Sequence, residues 1–113
     1  SLDLVGRQDE LVRAVLSTGK PVIALLFNGR PLSINYLVQN VPVIFECWYL
    51  GQECGHAVAD VLFGDFKPTG RLPRPWPESN DALANDANAK PQFPPGFGLN
   101  FSPGPGRLMG KAN

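Results

Sequence analysis

The stretch that decides the fold is Val22-Ile23-Ala24-Leu25-Leu26-Phe27. It is short, wholly apolar and without alternation, so it leaves no side for water. Such a run describes a strand covered on both faces, which is how parallel sheets are built. Asn28-Gly29 ends it, and Pro21 precedes it.

Working outward from this run, the residues on the N-terminal side have a helical period. Leu11, Val12, Val15 and Leu16 make one apolar stripe within Arg7 to Thr18, with Gln8 about a turn earlier, and Asp9, Glu10 and Arg13 supply the wet side. Acids in the first turn suit the positive end of the helix dipole, and Gly19 followed by Pro21 stops the helix. On the C-terminal side, Ser33 is placed to cap a short helix through about Gln39, with Leu32, Tyr36 and Leu37 inward. Pro42 then restarts extended chain, and Val43-Ile44-Phe45 enters a second buried strand. A further helix is expected from Glu53 to Phe63, with Ala57, Val58, Val61 and Leu62 as its core face and Gly64 as its stop. Helix, strand, helix, strand, helix is the α/β rhythm, and crossover connections of that kind hold the strands parallel.

Beyond Gly64 the character changes. Pro68, Gly70, Pro73, Pro75 and Pro77 leave little room for regular structure. Residues Glu78 to Lys90 are rich in Asn, Asp and Ala and read as an exposed loop, whose alanines permit a helical turn. Phe97-Gly98-Leu99-Asn100-Phe101 suits a last short strand, and the Gly/Pro-rich tail, Ser102 to Asn113, is expected to be mobile or extended. Two strands and three helices bury little apolar area against the entropy of ordering the chain. The expected fold is therefore α/β but unfinished: an incomplete three-layer sandwich with a mostly parallel, flavodoxin-like sheet, completed by more strands or another chain.

The totals exclude several classes. In 113 residues, ten basic side chains balance ten acidic ones, so no net field favours nucleic acid or an acidic membrane surface. No apolar run approaches the roughly 20 residues that span a bilayer. Ser1-Leu2-Asp3-Leu4 lacks the basic and apolar parts of a signal peptide. Cys47 and Cys54 are too few for a disulfide scaffold and form no metal pattern; their spacing allows a bridge without requiring one.

Ligands of open parallel sheets gather outside the C-terminal ends of the strands. Asn28-Gly29-Arg30 and the segment from Glu46 to Glu53 occupy such places. The second segment combines carboxylates, aromatic faces and an amide in Glu46, Trp48, Tyr49, Gln52 and Glu53, a mixture that suits a polyol. Most of them have a plainer explanation. Trp48 and Tyr49 would pack the loop, Glu53 would sit against free amides at a helix start, and Glu46 would cap backbone donors or pair with Arg30. Glycoside hydrolysis needs two carboxyl groups about 5 to 9 Å apart, a separation the sequence does not fix for Glu46 and Glu53. His56 has no nucleophile patterned around it, and Cys47 reads as a small buried apolar group. The glycines around Gln52-Glu53 are no phosphate loop, because Gly-Lys-Ser/Thr is missing. Asp60 and Asp65 are expected to be solvated or to hold turns; Arg71 is by default a surface arginine, with an anchor for the proline-rich segment on a carboxylate as the alternative.

A longer pattern joins these pieces. Leu2-Asp3-Leu4-Val5-Gly6-Arg7-Gln8, Gly19-Lys20-Pro21-Val22 and Asn28-Gly29-Arg30-Pro31-Leu32 come first. Glu46 through Gly55 and Ala57 through Asp65 come next, then Pro68-Thr69-Gly70-Arg71-Leu72-Pro73 and Phe93-Pro94-Pro95-Gly96-Phe97-Gly98-Leu99. Together these resemble the second, sandwich-type domain of glycoside hydrolase family 3, the family of β-glucosidases, β-glucan exohydrolases and β-xylosidases. The resemblance covers Leu2 to Phe101, and so implies residues 1–101 as the C-terminal portion of that domain and 102–113 as a tail.

The resemblance also implies a chemistry. Members hydrolyse β-linked glycosides with retention, using a carboxylate nucleophile on a preceding barrel domain and a glutamic acid/base that here would fall before Ser1. No residue of this chain then inherits a catalytic role, and Glu46, Trp48, Tyr49, Gln52 and Glu53 remain as residues bordering the pocket. The implied partners are a β-linked oligosaccharide or aryl β-glycoside and the remaining parts of the hydrolase or another chain completing the sheet, with no metal, nucleotide or organic cofactor; the resemblance favours a secreted or periplasmic location, with the cytoplasm as the alternative. Cys47, Leu50 and Cys54 stand where alanine, proline and glycine are common in the family, and His56, Val5 and Pro95 replace asparagine, proline and phenylalanine. A left-handed backbone at Cys54 would cost about 1 kcal/mol or move the loop. The alternative function is a noncatalytic carbohydrate-binding or assembly module.

Overall fold

The computed structural model describes residues 1–80, 90–101 and 110–112, with side chains described through Leu99. Three helices and two parallel strands occur in the expected order: α1 (Gln8–Leu16), β1 (Ile23–Leu26), α2 (Asn35–Asn40), β2 (Val43–Glu46) and α3 (Cys54–Phe63). β1 and β2 pair in parallel with Ile23 opposite Val43 and Leu26 opposite Glu46. The Cys47 amide extends this ladder by donating to the Leu26 carbonyl at 2.9 Å.

Because strand side chains alternate, Ala24, Leu26 and Ile44 share one face of the sheet. Leu26 joins Ile34, Leu37, Val41 and Trp76 in the buried core, against which Val12 and Leu16 of α1 and Val38 of α2 pack. The Arg13 guanidinium lies 3.7 Å over the Tyr36 ring and ties α1 to α2. The opposite face (Ile23, Leu25, Val43 and Phe45) contributes nothing to that core, and Ile23 is 44% exposed. The sheet is α/β and incomplete.

The helices show where cover is lacking. In α1, Leu11 and Val15 turn outward, because α2 and the sheet cover only the Val12–Leu16 side of the stripe. In α3, Val58, Val61 and Leu62 are half-buried but Ala57 is exposed, and among the described residues this helix packs substantially on no other element. Its apolar face is real in sequence but mostly unmet in space. The expected Ser33 cap is also corrected. Ile34 is the residue that precedes α2, and no side chain caps it. The Ser33 amide donates to the Leu2 carbonyl at 2.7 Å, and its hydroxyl is buried without a partner. The N-terminal segment has pulled Ser33 out of the cap position.

The proline-rich segment is better ordered than its composition implies. Trp76 bridges Phe93 in antiparallel fashion, its amide donating to the Phe93 carbonyl at 2.8 Å while the Gln92 amide donates back at 2.9 Å. The Leu72 amide donates to the Phe97 carbonyl, and the Gly96 amide to the Leu72 carbonyl. Prolines at 73, 75 and 77 leave alternate residues free to donate, so the pairing survives them. The Trp76 indole donates to the Leu32 carbonyl at 2.9 Å and locks the segment onto the core. The strand expected at Phe97 to Phe101 is β3 (Leu99–Phe101), shorter than expected; it pairs antiparallel with β4 (Gly110–Ala112) and not with β1 or β2. Most of the loop between Glu78 and Lys90, and most of the tail, lie outside the described residues. No described helix is long and apolar enough to cross a membrane.

Candidate functional site

The C-terminal ends of β1 and β2 bring Asn28 and Glu46 to one edge, as parallel neighbours must. Asn28 is buried, and its side-chain amide donates to the Arg30 carbonyl at 2.6 Å, holding the Asn28-Gly29-Arg30 turn. Glu46 accepts from the Trp48 amide at 2.9 Å through one oxygen. Its other oxygen is buried without a hydrogen bond, as is the Asn28 side-chain oxygen. Glu46 thus caps a backbone donor as expected, but it makes no ion pair with Arg30.

Trp48 comes next in a left-handed conformation, φ 54°, which a non-glycine residue adopts at a cost. The Glu46–Trp48 bond and the ring packing hold it there: the Trp48 and Trp76 rings lie 6.1 Å apart and tilted by 48°. Glu46 and Trp48 both border an apolar cavity of about 500 Å³ between the sheet and the Leu72–Trp76 segment. Burial raises the Glu46 carboxyl above the ordinary range, and the Trp48 amide and the Asn28 side chain only partly pull it back. The Cys47 thiol is pushed up by burial first, then by the Glu46 carboxylate and by Cys54.

The other expected residues do not join this pair. Tyr49 does not pack the loop down: it is 78% exposed, with its ring edge against Gly29, where an added Cβ would lie 2.7 Å from the ring. Gln52 and Glu53 face solvent. Glu53 precedes α3 but caps no amide; its carboxylate instead meets His56 Nδ1 at 2.9 Å in an exposed i,i+3 pair. Such pairs contribute little to stability. Cys54 opens α3 in right-handed helical conformation and carries no left-handed penalty. Both cysteines are free, and Cys47 is buried as expected. Arg71 donates to the Gly70 carbonyl at 2.9 Å, an anchor on the backbone of its own segment.

Asn28 lies at the strand end where the sequence placed it, whereas Trp76 joins the candidate site without having been singled out. The signal for Asn28 is a polar residue directly after an apolar strand. For Trp76 it is an indole inside a proline run, which needs somewhere to put both its ring and its N–H. Among the described residues no three of His, Cys, Asp and Glu come together to hold a metal ion.

Relatives of the chain are glycosidases by name. It is 45% identical to a β-xylosidase of Formosa agariphila over 118 aligned positions, covering 89% of this chain and 16% of that protein. It is 47% identical to a periplasmic β-glucosidase of Salmonella typhimurium over 64% of this chain and 9% of the relative. A β-glucosidase of Rhizobium radiobacter is 43% identical over 78% of this chain and 11% of its own length. The chain therefore spans less than a fifth of the length of these relatives. The model of the glycosyl hydrolase family 3 C-terminal domain matches residues 1–101, a span that carries the parallel sheet, the three helices and the Glu46 edge. This chain belongs to the glycosyl hydrolase family 3 C-terminal domain family.

Proposed function

We propose that this domain forms one wall of the sugar site in a retaining β-glycosidase acting on β-linked glucosides or xylosides. The attacking carboxylate and the proton donor come from other segments of the enzyme. The observation that carries this reading is the Glu46–Trp48 pair at the C-terminal edge of the parallel strands. It sets a fixed carboxylate, one oxygen of which is buried without a hydrogen bond, and an indole on the border of one apolar cavity. A sugar needs that combination: acceptors for its hydroxyls and a flat apolar surface for its C–H face. The relatives' names, β-xylosidase and β-glucosidase, supply the substrate class.

In this reading the other segments carry out the two displacements at the anomeric carbon. This domain holds the ring still, excludes water from one side and keeps the Glu46 carboxylate from approaching the reacting bond. A chimera tests it: these residues replace the matching stretch of the Formosa agariphila β-xylosidase. The chimera should hydrolyse an aryl β-xyloside, and Glu46→Gln within it should raise KM severalfold with little change in kcat. A soluble, folded chimera without activity would contradict the proposal, and so would a total loss of kcat on Glu46→Gln.

The exposed Tyr49 ring favours a second reading, a carbohydrate-binding module, since an open aromatic face at this edge can take a sugar without chemistry. Titration with glucose, cellobiose and xylobiose, followed by tryptophan emission, separates the two. Saturable binding by the chain alone supports the module.

A further inference from the structure

A second cavity, of about 570 Å³, is bordered by residues 29–31 and 72–77, and both Arg30 and Arg74 line it. Trp48 borders it too. This indole is therefore shared by one cavity that carries the Glu46 carboxylate and one that carries two guanidinium groups. Both arginines are exposed, and among the described residues neither has a carboxylate partner. Their backbones are set. The Asn28 side chain donates to the Arg30 carbonyl at 2.6 Å, while Pro75 confines Arg74 to extended chain beside the Trp76–Phe93 pairing. The rest of the wall has few donors to give. Pro31, Pro73, Pro75 and Pro77 have no N–H. The amides of Trp48, Leu72 and Trp76 already donate to Glu46, Phe97 and Phe93, and the Trp76 indole donates to Leu32.

We propose that this cavity binds a carboxylate carried on a ring, and that its ligand is a uronic acid unit, a sugar whose C6 is a carboxylate. Two positive groups on one cavity favour an anion there, and a planar guanidinium matches a carboxylate with paired N–H donors. A bare inorganic ion would leave the Trp48 ring and the proline rings without contact. The C–H face of a pyranose covers them. The choice of a sugar as the carrier rests on the reading of the Glu46 edge as a sugar wall; the choice of a carboxylate does not. The substrate class is then an acidic oligosaccharide, with a neutral glucosyl or xylosyl unit on the Glu46 side of Trp48 and the uronate on the arginine side. Arg30, Arg74 and Trp48 all belong to this chain, so the chain alone should bind the uronate.

The test titrates the 113-residue chain with methyl β-glucuronide, methyl β-glucoside and cyclohexanecarboxylate, followed by tryptophan emission, since Trp48 and Trp76 both line the cavity. The glucuronide should give a saturable change, with an affinity about tenfold or more above that of either other ligand, and weaker in high salt. Arg30→Gln and Arg74→Gln should each lower that affinity by roughly fivefold or more, and Arg74→Lys, which keeps the charge without the planar pairing, should fall between. Lys20→Gln removes a charge outside the cavity and should leave the affinity unchanged. Thermal unfolding should show the arginine variants as stable as the unaltered chain, because both positions are exposed. A glucoside bound as tightly as the glucuronide overturns the carboxylate site, and so does an equal loss on Lys20→Gln. Cyclohexanecarboxylate bound as tightly overturns the sugar as carrier. No saturable response to the glucuronide overturns the whole proposal, whereas the sugar-wall reading stands or falls separately, on the KM effect of Glu46→Gln in the chimera.

Discussion

Glu46 keeps one oxygen on the Trp48 amide while the other is buried without a hydrogen bond, and the burial outweighs the opposing pull of the Trp48 amide and the Asn28 side chain. Its carboxyl is raised above 4.5, which means the folded chain holds this proton more tightly than the unfolded chain does. The linked stability is fully present below the unfolded value and is lost as pH climbs through the folded one. Urea unfolding at a series of pH values should therefore show the difference between Glu46→Gln and the unaltered chain shifting in favour of Gln as pH rises above 4.5. Glu46→Ala removes the acceptor for Trp48 and should cost about 1–3 kcal/mol by the same measurement. Since Trp48 is held at φ 54° by this bond and by its ring packing, its emission should shift in Glu46→Ala. An unchanged emission maximum would mean the bond positions nothing.

The elements differ in how plainly their residues announce them. β1 and β2 were legible because Val22 to Phe27 and Val43 to Phe45 are apolar on both faces, a pattern that tertiary context rarely reverses. The end of α3 was legible because Gly64 takes φ 87°, which glycine adopts without strain. The Ser33 cap failed because the decisive partner, the Leu2 carbonyl, is distant in the chain and no local pattern records it. The Trp76–Phe93 pairing was hidden for the same reason, behind prolines that argue locally against strand. Among the candidate site residues, chain order placed Glu46 and Trp48 correctly at a strand end. It could not tell that Tyr49, Gln52 and Glu53 would turn outward. Two glycines of the α3 region respond oppositely to the same change. Gly55 is helical with open space around it, so Gly55→Ala should raise stability by about 0.5–1 kcal/mol, whereas Gly64→Ala should lower it by about 1 kcal/mol. Thermal unfolding of the two variants measures both signs. Trp76→Phe keeps most of the ring volume but leaves the Leu32 carbonyl without its donor, and should cost about 1–2 kcal/mol.

At the scale of the molecule, the apolar surface is larger than its buried counterpart can explain. Leu11, Phe27, Tyr49, Phe63 and Phe66 are all exposed, and one face of the parallel sheet adds nothing to the core. Surfaces of this kind mark contacts with other protein. Phe63 is 83% exposed, so Phe63→Glu should change stability by no more than about 0.5 kcal/mol while lowering dye binding and self-association. The same incompleteness bears on chemistry: among the described residues the half-buried Glu46 is the one carboxylate lining the cavity, and one carboxylate cannot both attack an anomeric carbon and protonate its leaving group. The most direct measurement is turnover of an aryl β-glucoside and an aryl β-xyloside by the purified 113-residue chain alone. A domain that supplies only a wall should give a rate no different from buffer; turnover that Glu46→Gln or Glu53→Gln abolishes would contradict that assignment.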